Sequence, residues 1–115
     1  MAYKAIHRFA RIAPRKARLV AALIRGRQVD DAMIQLELSK KRGAWFLKSV
    51  LKSAIANAEE GDADRRYLFV TESRVDEGPT LKRFQPKDRG KAYAIQKKMS
   101  HLVVTLDERA EKAAK

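Results

Sequence analysis

The sequence predicts an α+β domain: a small three-stranded antiparallel sheet packed on three helices, with a long protruding basic β-hairpin. Three observations carry this. Apolar residues between positions 14 and 59 recur at helical spacing, whereas those at 3–12, 67–75 and 102–106 alternate at strand spacing. The stretch 78–100 holds seven bases against one acid, Asp88, and little that could form a core of its own. The chain has 115 residues, 45% of them hydrophobic, which is enough for one core and too little for two ordinary domains.

The first strand is expected over 3–12, where Tyr3, Ala5, His7 and Phe9 alternate with Lys4, Ile6, Arg8 and Ala10. Its bases suit an edge strand, where charge blocks pairing with another sheet. Contact with phosphate explains them equally well. Pro14 fits the first turn of a helix that Gly26 can close in a left-handed cap. Ala17, Val20, Leu23 and Ile24 give that helix an inner face; Arg15, Arg18 and Arg25, with Lys16 nearby, share another. No acid accompanies them in the segment, which favours phosphate binding over plain solvation.

A second helix is expected to begin at Asp30 as N-cap, with Asp31 at the positive end of its dipole and Val29 packed on Ile34. Ala32, Met33 and Leu36 form its inner face. A third helix opens at Ser39 or Lys40 and runs to about Glu59 on a stripe of Leu47, Val50, Leu51, Ala54, Ile55 and Ala58. Trp45 and Phe46 are read as packing residues in preference to base-stacking ones, and Lys40, Lys41 and Arg42 as a solvated helix start in preference to a phosphate contact.

After a loop at 61–64, a strand reaches about Val75, and Asp76-Glu77-Gly78-Pro79 marks the base of the hairpin. The arms fall near 80–85 and 92–99, with a turn marked by Pro86, Asp88 and Gly90. Leu102, Val104 and Leu106 alternate in the return strand. Residues 1–107, including the hairpin at 78–100, are expected to form one domain, with 108–115 as a charged tail that is a frayed helix or disordered.

Charge narrows the function. There are 26 Lys+Arg against 14 Asp+Glu, with a pI near 10.3. Residues 1–27 hold eight bases and no acids, and 28–77 hold eight bases and ten acids. Two basic blocks thus flank a nearly neutral middle, a segregation that points to a polyanion, nucleic acid before an anionic membrane surface.

Enzyme chemistry finds no support. Cysteine is absent, and no G-x-S-x-G, H-E-x-x-H or phosphate-cradling glycine loop occurs. His7 and His101 lie in expected strands, where structural roles are commoner. No metal set and no cofactor is expected. The longest apolar run, residues 19–24, is far short of a membrane span, and no signal peptide is visible, so an intracellular protein without a membrane partner is expected.

A helix-turn-helix around Gly26 fails, because its second helix would carry Asp30, Asp31 and Glu37 into a phosphate-lined groove. An architectural DNA-binding protein with a basic β-arm remains open beside an RNA-binding protein; the former requires a dimer.

Four stretches carry a resemblance: Arg15-Lys16-Ala17-Arg18-Leu19-Val20 with Leu23-Ile24-Arg25-Gly26; residues 51–59, LKSAIANAE; Val75-Asp76-Glu77-Gly78-Pro79 with Lys82-Arg83; and Gly90-Lys91 with Ser100-His101-Leu102-Val103-Val104. In this order and at these intervals the chain resembles the bacterial large-subunit ribosomal protein 22 family over nearly its full length. The resemblance implies a non-enzymatic structural constituent of the large subunit of the cytoplasmic ribosome, which binds large-subunit ribosomal RNA and aids assembly. It implies a monomer whose hairpin lies in the wall of the nascent-peptide exit tunnel. Large-subunit protein 4 at the constriction, the nascent peptide and macrolide antibiotics would be its neighbours there.

The expected RNA-binding residues are Lys4, Arg8, Arg11, Arg15, Lys16, Arg18, Arg25, Lys82, Arg83, Lys87, Arg89, Lys91, Lys97 and Lys98. The tunnel-lining tip would comprise Arg83, Phe84, Gln85, Pro86, Lys87, Asp88, Arg89, Gly90 and Lys91. One departure stands out: Asp88 occupies a tip position where the family pattern has a small residue.

Overall fold

In a computed structural model, residues 2–87 and 91–108 are described, with side chains for all of these except 81–87 and 91–96. The order is β1 (Ala2–Ala10), α1 (Pro14–Ile24), α2 (Val29–Leu38), α3 (Arg42–Glu60), a 3-10 turn at Arg65–Tyr67, β2 (Leu68–Lys87) and β3 (Lys91–Glu108). The sheet runs β1-β3-β2 with both pairings antiparallel, so the last strand is the central one. Three helices on a three-stranded sheet make this the expected α+β fold. Helix α3 lies over β1 and β3, and α1 over β2.

Periodicity explains the core. Leu47, Leu51, Ala54 and Ala58 of α3 are fully buried against Leu102, Val104 and Leu106 of β3 and Leu68 and Val70 of β2. Each large apolar side chain so buried stabilises the fold by about 1.5–3 kcal/mol relative to exposure. Pro14 is the first residue of α1, and Gly26 just beyond its end takes φ 81°, the left-handed cap expected of it.

Several expectations are corrected. Leu23 is 40% exposed, and Ala21 takes the inner position with Ala17, Val20 and Ile24. On the helical wheel Leu23 lies roughly 100° from the centre of that stripe. Helix α2 begins at Val29, two residues earlier than expected, because Gln28 rather than Asp30 caps it: its Oε1 accepts from the Asp30 N–H at 2.8 Å and the Asp31 N–H at 3.4 Å. Val29 is fully buried while Ile34 is 52% exposed, so the expected packing of one on the other does not form. Helix α3 opens at Arg42, after Lys41 as N-cap. Phe46 packs as expected, but Trp45 is 67% exposed.

Strand β1 ends at Ala10 rather than at residue 12. A register shift between His7 and Ala10, with Phe9 at φ 58°, turns Phe9 outward and Ala10 inward. The expected loop at 61–64 is followed by the 3-10 turn, opened by Asp64, whose carboxylate accepts from the Arg66 N–H. Strands and arms are continuous: β2 does not stop near Val75, because a register shift between Glu77 and Thr80 absorbs Gly78 and Pro79. A bulge is where a proline, lacking an N–H, is tolerated in a ladder. Glu108 pairs with Leu68, so β3 runs one residue into the expected tail; 109–115 lie outside the described residues.

Beyond Ala10 the third strand is gone, and β2 and β3 pair alone from Thr80–Lys98 to Lys87–Lys91. Residues 88–90, which include the expected turn at Asp88 and Gly90, lie outside the described residues. The extents are 67 × 24 × 17 Å and the radius of gyration is 17.3 Å, against about 13 Å for a compact chain of this length.

Candidate nucleic-acid interface

Where β1 hands over to α1, the chain turns beneath the base of the two-stranded segment. There Arg11, Ile12, Lys16 and Leu19 form one wall of a groove of about 680 Å³. The start of α3, with Lys41, Arg42 and Gly43, forms a second wall, and Lys97 and Lys98 of β3 a third. Six cations thus converge from three separate parts of the chain, and no acid is among the lining residues. A smaller groove of about 410 Å³ adjoins it through Ala13, Lys16 and Lys98 and adds Arg15 and Arg18, with Glu77 as its one acid.

Backbone dipoles add to the side chains. The N-caps of α1 and α3, Ala13 and Lys41, both line the larger groove. Neither helix has a side-chain cap or an acid in its first turn, so the positive ends of both dipoles stay uncompensated by the protein. Helix α2, which has Gln28, Asp30 and Asp31 at its start, is the opposite case. Gly43 lets the two helices close up: a Cβ there would lie 3.2 Å from Val20 Cγ2 and 3.3 Å from Ile12 Cδ1. Beneath the groove, buried Ser100 donates its hydroxyl to the Ile12 carbonyl at 2.6 Å.

Among the described residues, the ion pairs join Arg27, Lys48, Arg65, Arg66 and Arg74 to acids of the middle segment. None of Arg11, Lys16, Lys41, Arg42, Lys97 or Lys98 takes part in one. An acid-free cluster of exposed cations repels itself unless a polyanion neutralises it.

The expected site residues divide into groups. Arg11, Arg15, Lys16, Arg18, Lys97 and Lys98 come together at the two grooves. Arg18 and Arg25 also have structural work: Arg18 donates to the Val75 carbonyl at 3.1 and 3.3 Å, and Arg25 to the Ser73 carbonyl at 2.7 Å, which ties α1 to β2. A guanidinium has five N–H donors, so each keeps several for a partner. Arg8 lines a separate groove of about 280 Å³ between β1 and Ser49 and Ser53 of α3; Lys4 is exposed on the same strand. Lys82, Arg83, Phe84, Gln85, Pro86, Lys87 and Lys91 belong to β2 and β3 by backbone alone, and Asp88, Arg89 and Gly90 lie outside the described residues.

Sequence reading preferred a solvated helix start for Lys40, Lys41 and Arg42 over a phosphate contact; the structure brings Lys41 and Arg42 into the groove, and the run of three bases before a helix with no early acid is the signal that favours the contact. The histidines serve packing: His101 Nδ1 accepts from the Phe9 N–H at 3.1 Å, and the His7 ring packs on Phe46 at 5.7 Å. Among the described residues no group of three or more His, Asp or Glu could hold a metal ion, and no helix is long and apolar enough to cross a membrane. What the site can do chemically is hold phosphates. A family model described as ribosomal protein L22p/L17e matches residues 5–107 of this chain.

Proposed function

The chain belongs to the ribosomal protein L22p/L17e family, structural proteins of the large subunit of the cytoplasmic ribosome, and from that membership we propose how it engages RNA. The body, read as one unit to about residue 107, binds large-subunit ribosomal RNA at the groove between α1, α3 and β3. Arg11, Lys16, Lys41, Arg42, Lys97 and Lys98 contact phosphates there, with Arg8, Arg15, Arg18 and Arg25 on flanking strands of RNA. Such contacts fix position rather than read sequence, and RNA shape supplies the selectivity.

The paired segment of β2 and β3 then carries Lys82, Arg83, Lys87, Arg89 and Lys91 into the RNA, so that the turn lies in the wall of the nascent-peptide tunnel beside large-subunit protein 4. Nascent chains and macrolides pass or bind near it. The chain acts as a monomer, aids subunit assembly and catalyses nothing. The observation that carries this reading is the convergence of six cations, unpaired among the described residues, on one acid-free groove.

Ultraviolet crosslinking in cells, followed by sequencing of the attached nucleic acid, tests it. Crosslinks from both groove and hairpin to large-subunit ribosomal RNA around the tunnel are expected. Crosslinks spread over genomic DNA would overturn the proposal.

A further inference from the structure

We infer that Trp45 is a stacking platform for an unpaired nucleotide of the bound RNA, set between two phosphate-holding grooves. This rests on the RNA-binding reading above and deepens it. The indole is 67% exposed, whereas its neighbour Phe46 is buried at 7%. It meets Phe46 edge-to-face, with ring centroids 5.0 Å apart and planes at 79°. Phe46 is itself held by the His7 ring and by the Arg42 guanidinium, 5.5 Å from its centroid. One side of the indole is therefore buttressed, and the exposed remainder leaves a face open. A ring already held in place loses little freedom when a base arrives.

Position makes the open face informative. On α3, residues three and four apart share a face. Lys41 and Arg42, which wall the large basic groove, precede Trp45 by four and three residues. Ser49 follows it by four and lines the second groove with Arg8 and Ser53. An RNA strand crossing from one groove to the other passes over the indole. Bases inside a duplex are already stacked on each other and cannot reach a protein ring, so the nucleotide at this point is unpaired. Every base has a π-face, and the stack therefore tolerates any of the four. An apolar protein partner would suit the indole but not the acid-free cations that line the groove beside it.

Trp45 is the sole tryptophan of the chain, so its emission reports this site alone. The full chain is titrated with large-subunit ribosomal RNA, with a short oligoadenylate, and with inorganic polyphosphate, which has charge but no bases. Both RNAs are expected to quench the indole to saturation, and polyphosphate to bind without that quench. Trp45→Ala is expected to weaken ribosomal RNA binding about tenfold, and Trp45→Phe to restore most of it. Ribosomal RNA that binds with unchanged emission and equal affinity for Trp45→Ala would overturn the stacking role and leave the groove reading standing. Ribosomal RNA that fails to bind wild-type protein would overturn the RNA-binding reading, and the stacking role with it.

Discussion

Two regions of this molecule use arginine and lysine in opposite ways. From Arg27, just before α2, to the first part of β2, cations meet acids of the same region: Arg27 with Asp31 at 2.9 Å, Arg65 with Asp30 at 2.8 Å, and Arg74 with Glu72 at 3.4 Å. At the groove between α1, α3 and β3, six cations meet no acid in any ion pair among the described residues. The side chains are of the same type and both sets reach solvent. Exposed pairs contribute only about 0–1 kcal/mol each, so pairing is not what holds the middle together. The difference lies in where the neutralising charge comes from: within the chain in one region and, on the reading proposed above, from bound RNA in the other.

The strongest way to break this comparison is to remove charge from each side. Lys16→Ala, Lys41→Ala and Lys98→Ala combined are expected to weaken ribosomal RNA binding about a hundredfold. They should also lower the log–log salt slope by about two, at roughly 0.7 per single-strand contact. Arg65→Ala, which removes pairs to Asp30 and Glu59, should leave both quantities unchanged. Filter-binding titrations across a salt series decide it; equal losses from the two proteins would erase the distinction.

A smaller effect sharpens the contrast inside the core. Ser100 and Ser73 are both buried, yet Ser100 donates to the Ile12 carbonyl under the groove whereas the Ser73 hydroxyl has no partner among the described residues. Ser100→Ala strands that carbonyl and is expected to cost about 1–3 kcal/mol. Ser73→Ala removes an unsatisfied group and is expected to be neutral or to stabilise by up to about 1 kcal/mol. Urea denaturation of the two variants should move their midpoints in different directions, or leave that of Ser73→Ala in place.

The smallest effect belongs to the paired region. The Asp64 carboxyl is held below its ordinary 3.8, first by the Arg66 side-chain hydrogen bond and then by the Arg66 backbone N–H. A depressed carboxylate stabilises the fold above its unfolded value and loses that contribution as pH falls through its folded value. Carbon-detected NMR titration of Arg66→Ala should show Asp64 rising toward 3.8. An unmoved titration would mean that the backbone contact alone sets it.

Local signals made much of this legible. The Leu47–Val50–Leu51–Ala54 stripe, the proline that opens α1 and the glycine that follows it depend on neighbours in sequence, and they were readable there. The basic blocks were readable for the same reason. What escaped depends on neighbours in space. Lys41 and Arg42 join the site only because Gly43 lets α3 settle against Ile12 and Val20. Arg18 and Arg25 reach β2 carbonyls more than forty residues away. Trp45 and Phe46 are adjacent and both aromatic, and only the packing of α3 on β1 decides which one turns inward. Gln28 takes the cap, and Asp30 lies inside the first turn, where Arg65, 35 residues further on, engages it.

The central position of β3 has a consequence for synthesis. Ala2 pairs with Asp107 and Leu68 with Glu108, so neither β1 nor the body half of β2 has a partner until the far end of the chain has been made. A growing chain can form helical turns early, but its sheet must wait, which is the slow, non-local kind of assembly. The groove waits too, since its third wall is Lys97 and Lys98. An unfinished copy thus holds only four of the groove's six cations and lacks its third wall.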